Sequence, residues 1–158
     1  MRCKFWELAH AVTMLPGLFL PMRAGTAPYK AFCVCSFTYH MCKSLFKHKK
    51  THTLLLRADL LSQLLACVMN NKRSNAYIYA VICASPFINV NDLRQKRIHL
   101  VLNGTCILYV NRLRRGPALL GWTSVIFCSL IANITDKQFY HSLMHLLGHL
   151  AFYAQQHE

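Results

Sequence analysis

The stretch GPALLGWTSVIFCSLIANIT, residues 116–135, contains twenty residues and no Asp, Glu, Lys, Arg or His. At about 1.5 Å per residue, a helix of this length crosses the roughly 30 Å hydrocarbon core of a bilayer. Three arginines lie between residues 112 and 115, whereas the charges of Asp136 and Lys137 nearly cancel after the stretch. The positive-inside rule then places its N-terminal side in the cytosol. The stretch predicts either a single transmembrane helix at 116–135 or a buried core helix.

The whole chain is basic and apolar. Its 158 residues include 18 Lys and Arg against five Asp and Glu, with a formal charge of +13 and 54% hydrophobic residues. An average soluble domain has about 25% charged residues of mixed sign, and this chain has 15%. The excess positive charge attracts polyanions, and the hydrophobic fraction excludes simple disorder. We therefore expect contact with an anionic membrane surface, and a membrane location rather than a nuclear one.

No motif assigns a specific biochemical function. We find no glycine-rich phosphate loop, nucleophile elbow or paired carboxylates in the sequence, so an enzyme is the least favoured class. Few acidic residues with scattered Cys and His are also typical of a reading frame that arose recently or was never selected to encode protein. Such a chain need not be consistent in propensity, pattern and turns. A small basic hydrophobic protein without a well-defined compact fold is therefore one of the open alternatives.

Residues 5–22 form a mostly apolar N-terminal segment. Basic residues precede it and small residues follow it, which is the outline of a signal peptide with a cut after Ala27. Glu7 and His10 interrupt the segment, and it also contains two prolines, which would break a helix. The segment is interpreted either as a signal or anchor, or as a buried or interfacial segment.

Residues 54–73 show the period of an amphipathic helix. Apolar side chains recur there in steps of four, and polar side chains fill much of the opposite face. The recurring apolar residues are Leu56, Leu60, Leu64 and Val68. We expect this helix to pack in a core or against a protein partner.

Two apolar runs flank the pair Asn103-Gly104. Asn-Gly is the strongest two-residue hairpin signal, because a type I′ turn needs positive φ at both central positions. The sequence therefore predicts a β-hairpin at about 98–110, and a further strand at 76–83. Basic residues flank the hairpin and indicate either a solvated end or a lipid- or phosphate-binding patch. The predicted fold class is mainly α, with this one hairpin and the candidate transmembrane helix at 116–135.

Residues 28–53 have the spacing of a zinc site with two Cys and two His. Twelve residues separate Cys35 from His48, and three separate His48 from His52. The segment opens with Pro-Tyr-Lys and closes with Lys-Lys-Thr-His-Thr, and it carries an aromatic residue and a leucine at core positions between. It resembles a Krüppel-type zinc finger.

The resemblance implies a zinc ion bound by four ligands, Cys33, Cys35, His48 and His52. It also implies nucleic-acid binding, with nearby lysines facing phosphate. Zinc-dependent nucleic-acid binding is thus the alternative function, and zinc is expected only under it. The resemblance covers residues 28–53 alone, and Phe32 stands where the family has its first cysteine. No second finger follows, although such fingers work in arrays.

Three histidines recur every four residues in a predicted helix at 137–155, namely His141, His145 and His149. Neighbours at this spacing share one helix face, so a pair of them could hold a metal ion. Four leucines form the opposite stripe of the same helix. The favoured interpretation is therefore a polar histidine face in solvent and a leucine stripe in the core.

Overall fold

The computed structural model describes residues 2–19, 27–46, 49–69, 89, 92–111, 116–135 and 137–157. Within these ranges the regular secondary structure is entirely α-helical. Seven helices are defined: α1 Arg2–Val12, α2 Leu15–Phe19, α3 Ala27–Leu45, α4 Lys49–Met69, α5 Leu93–Asn111, α6 Pro117–Thr135 and α7 Gln138–His157. The predicted mainly α class is confirmed.

The predicted β-hairpin at 98–110 is wrong, because α5 runs through the whole of it. Gly104 is helical, and the glycine with positive φ among the described residues is Gly116, at φ 72°. Burial in this segment follows the 3.6-residue period of a helix and not the two-residue alternation of a strand. The buried side chains of α5 are His99, Asn103, Cys106 and Ile107, at steps of three and four. Burial of this face against neighbouring helices outweighs the local turn preference of Asn-Gly.

Helices α6 and α7 form the most extensive helix pair of the fold. They are antiparallel neighbours, since only Asp136 and Lys137 separate them in sequence. Gly121 allows close approach, because a Cβ added there would lie 2.7 Å from the Cβ of Ala151. Across the same interface the buried indole Nε1 of Trp122 donates a hydrogen bond to Oε1 of Gln155 at 3.0 Å.

One hydrophobic core joins this pair to the N-terminal helices. Its buried members are Met14, Tyr29, Cys33, Ala66, Ile107, Trp122, Val125, Ala151 and Phe152. The rings of Tyr29 and Phe152 stack with centroids 3.7 Å apart and planes within 4°. Helices α2 to α7 thus share a core, and the alternative of a chain without a compact arrangement does not describe these residues.

Helix α4 covers most of the predicted amphipathic helix at 54–73, and residues 70–73 lie outside the described ranges. Leu60 and Leu64 are buried, in agreement with the apolar stripe. The strand predicted at 76–83 also lies outside the described residues.

The apolar N-terminal segment contains α1 and α2, with a turn at Thr13 and Met14 between them. Pro16 is the second residue of α2, where a missing backbone N–H removes no helical hydrogen bond. Within α1, Glu7 and His10 face inward and are 5% and 1% exposed. These two residues, which interrupt the apolar pattern of the sequence, therefore contribute to the interior.

Candidate metal centre

Two histidines of α7 point into the bundle, and two of its leucines point out. His145 and His149 are 7% and 3% exposed, whereas Leu146 and Leu150 are 42% and 63% exposed. The expectation of a solvated histidine face with a buried leucine stripe is wrong for these residues. The physical reason is that α1, α2 and α3 cover the histidine side and supply hydrogen-bond partners for buried imidazoles.

His40, His141 and His145 bring three potential metal-ligating atoms within 4.8 Å of one another. His40 comes from α3, and the other two come from successive turns of α7. Zinc–nitrogen bonds of about 2.0–2.1 Å place tetrahedral ligands about 3.4 Å apart. Small side-chain rotations would therefore bring these three imidazoles to coordination distance.

Glu7 orients the imidazole of His40. The Nδ1–H of His40 donates to Oε2 of Glu7 at 2.8 Å, which leaves the lone pair of the neutral ring on Nε2. That Nε2 atom is buried and has no hydrogen-bond partner in the structure. Metal-binding histidines almost always give their second ring N–H to a carboxylate or carbonyl in this way. His40 therefore has the arrangement of a metal ligand.

Lys43 supplies the counter-charge for Glu7. Its Nζ lies 2.5 Å from Oε1, the carboxylate oxygen that His40 does not use. Burial alone would raise the pKa of Glu7, but hydrogen bonds from His40 and Lys43 outweigh it and lower that pKa to about 2. The carboxylate is thus ionised at neutral pH and paired, as a buried charge must be.

His145 has the same tautomer as His40, fixed by the backbone of α1. The hydroxyl of Thr13 donates to the carbonyl oxygen of His10 at 2.7 Å, so its own oxygen can accept from Nδ1–H of His145 at 3.0 Å. The carbonyl of His10 lies 3.3 Å from the same Nδ1. Both contacts place the proton on Nδ1 and leave the lone pair on Nε2.

Two further histidines beside the cluster are already satisfied. His10 donates from Nε2 to Oε1 of Gln138 at 3.1 Å and accepts at Nδ1 from Ser142 at 2.8 Å. Burial lowers the pKa of His10, which keeps this ring neutral. His149 accepts from the Tyr29 hydroxyl at 2.5 Å, and its Nε2–H donates to the backbone at 2.8 Å. Neither ring has a free nitrogen, so neither is a candidate ligand.

Three of the four residues of the predicted finger lie in described helices. Cys33 and Cys35 lie on α3, two residues apart, where side chains do not face each other. His52 lies on α4, and His48 lies outside the described residues. Burial raises the pKa of the Cys33 thiol to about 12, which disfavours the thiolate that zinc needs. The group of three metal-ligating side chains that the described ranges bring together is the histidine cluster.

Sequence reasoning found part of this centre. The i, i+4 spacing identified His141 and His145 as a potential ligand pair. It missed His40, which lies inside the finger spacing, and Glu7, which interrupts an apolar run. Local sequence contains no signal that could connect residues 7 and 40 to the C-terminal helix.

Comparisons of this chain with protein-family models, with curated proteins and with solved structures found no match.

Proposed function

We propose that this protein binds a divalent transition-metal ion through the imidazoles of His40, His141 and His145, with Zn²⁺ as the first candidate. The buried Nε2 of His40 carries the proposal, since it has no hydrogen-bond partner and its ring is held by a carboxylate. A buried polar atom without a partner has a free-energy cost that a bound ion would remove.

The chemistry of the ligands favours zinc and its neighbours. Neutral imidazole suits Zn²⁺, Cu²⁺ and Ni²⁺, whereas Mg²⁺ and Ca²⁺ prefer oxygen ligands. Three protein ligands leave a fourth tetrahedral position for water or another small ligand. The site is thus distinct from the four-ligand finger that the sequence resembles.

The ion would connect two parts of the fold. One ligand comes from α3 and two from α7, and the carboxylate that supports the site comes from α1. An ion that binds only the folded chain stabilises it by mass action. Metal binding is therefore expected to raise the unfolding temperature of the protein.

Cobalt titration of the full-length chain in detergent micelles tests the proposal. We expect one Co²⁺ per chain, weak visible bands and no thiolate charge-transfer absorbance, with Zn²⁺ displacing the cobalt. His40→Ala and His141→Ala should each weaken affinity at least tenfold. His157→Ala is the matched control, because His157 is an exposed histidine on the same helix. It should bind as the wild type does.

Two outcomes would contradict the histidine site. Unchanged affinity in both His40→Ala and His141→Ala, with helicity intact by circular dichroism, would remove it. A strong thiolate band that disappears in Cys33→Ser or Cys35→Ser would support the finger alternative instead, because only cysteine ligands give that band.

A further inference from the structure

Helix α6 carries large apolar side chains on both faces, and its exposed side also holds Thr123 and Asn133. Its inner face buries Ala118, Trp122, Val125 and Cys128. Its outer face exposes a stripe of large apolar residues at steps of three, four and seven, namely Leu120, Phe127, Leu130 and Ile134. Only 22% of its most apolar window is buried. A helix that is hydrophobic all round needs an apolar environment on both faces.

Helix α7 continues this apolar surface. Its exposed face is formed by Phe139, Leu146, Leu150 and Tyr153. Three of its polar side chains face inward, since His145, His149 and Gln155 are buried and hydrogen-bonded. Polar groups in a bilayer likewise face the interior of a bundle and bond there.

The lengths and charges of the two helices match a bilayer. Their 19 and 20 residues correspond to about 28 and 30 Å. Neither helix contains Asp, Glu, Lys or Arg. Charges occur only at the ends of the pair, with three arginines between 112 and 115, Asp136 and Lys137 at the turn, and Glu158 at the end.

We propose that α6 and α7 insert together as a transbilayer helical hairpin, with their outer stripe in contact with lipid acyl chains. The arginines before α6 place the open end in the cytosol, so the turn at residues 136 and 137 lies on the opposite side. The C-terminus then returns to the cytosol. Among the described helices, only α6 is apolar enough by mean hydropathy to be a candidate membrane span. Helix α7 has a lower mean hydropathy because it carries four histidines, of which the fold buries two. This inference rests on the polarity of the helices and not on metal binding.

The position of the Glu7–Lys43 ion pair agrees with this placement. The contacts of His10 with Ser142 and of Thr13 with His145 align α1 in parallel with α7. Glu7 and its partner Lys43 therefore lie beside the N-terminal end of α7, near the turn. Charges at that level meet the membrane–water interface and not the centre of the hydrocarbon.

Glycosylation mapping of the full chain in microsomes tests the topology. One variant carries a flexible linker with an Asn-Ser-Thr acceptor between Asp136 and Lys137, and a second carries the same linker after Glu158. Glycosylation is scored as mass gained relative to the unmodified chain, which removes any contribution of native acceptors. The hairpin requires modification of the first variant and not of the second.

Other outcomes would overturn the hairpin. Modification after Glu158 would show a single span through α6, and modification of neither site would show a chain that lies on the cytosolic surface. Leu150→Lys places a charge on the lipid face and should reduce modification at the turn roughly tenfold. Ala58→Lys is the control on the exposed side of α4 and should have no effect. Equal modification at the turn in Leu150→Lys and in Ala58→Lys would exclude lipid contact at Leu150.

Discussion

Nδ1 of His40 and Oε2 of Glu7 lie 2.8 Å apart, which joins α3 to α1 through two side chains 33 positions apart. The bond holds the ring through Nδ1 and leaves the buried Nε2 without a hydrogen-bond partner. Glu7→Gln keeps an acceptor oxygen but removes the charge that increases the basicity of the imidazole. We expect metal affinity to fall about tenfold, at the lower end of the effect of such supporting groups.

Competition titration with a chromogenic chelator measures this loss, with the unfolding temperature of the metal-free variant recorded in parallel. A purely structural role for Glu7 would lower the unfolding temperature without changing affinity at a temperature where the chain is folded. Unchanged affinity in Glu7→Gln would thus contradict the positioning role.

Gly121→Ala is expected to destabilise the α6–α7 pair. The new Cβ would lie 2.7 Å from the Cβ and 2.9 Å from the Cα of Ala151, so backbone would have to move. Overpacking of this kind costs about 1–3 kcal/mol. Gly148→Ala is the matched control on the partner helix, because its nearest contact would be Val125 Cγ2 at 3.9 Å. Thermal unfolding should show a lower midpoint only for Gly121→Ala.

Gly104→Ala tests the correction of the predicted hairpin. In α5 the new methyl group would meet Ile126 at 3.7 Å, which is ordinary contact. Alanine in a helix interior is favoured over glycine by about 0.5–1 kcal/mol, so the free energy of unfolding should rise. In a type I′ turn the same residue would need positive φ, and stability would fall. Denaturant titration distinguishes a helix from a turn at Gly104 through the sign of the change in the free energy of unfolding.

Asp59 is expected to make stability depend on pH. Burial raises the pKa of its carboxyl to about 6, and a hydrogen bond from Ser36 offsets only part of that effect. The folded chain therefore binds this proton more tightly than the unfolded chain does. Stability falls as pH rises from about 4 to about 6, and the loss persists above that range.

Asp59→Asn removes this titration. We expect it to raise the free energy of unfolding at pH 7.5 by up to about 3 kcal/mol, at roughly 1.4 kcal/mol per pKa unit, and to have little effect at pH 4. Asp92→Asn is the control, at an exposed cap of α5 where either side chain caps well. An equal effect of Asp59→Asn at both pH values would contradict the assignment.

Helical period could be read from the sequence where apolar residues were spaced regularly. The amphipathic pattern around Leu60 and Leu64 predicted α4, and the uncharged stretch at 116–135 predicted α6. The Asn103-Gly104 pair gave a wrong prediction of a β-hairpin, because a turn preference is local and weak. The burial of α5 against its neighbours, which decided the outcome, involves residues far away in sequence.

The candidate site was harder to predict for a similar reason. A histidine repeat shows that imidazoles share a helix face, but it does not show whether that face is wet or buried. The orientation of α7 depends on which side α1, α2 and α3 cover. The same histidines are ordinary surface groups in one orientation and cluster with His40 in the other.

The sequence by itself determined the basic charge, the apolar composition, the helical class and the uncharged length of α6, because these follow from residue types and short-range period. Only the tertiary structure decided that α7 turns its histidines inward, that Glu7 orients His40, and that α5 is a helix through Asn103-Gly104. Each of these depends on contacts between residues distant in the chain. Their free energy comes from burial and from hydrogen bonds in the interior, which no local pattern records.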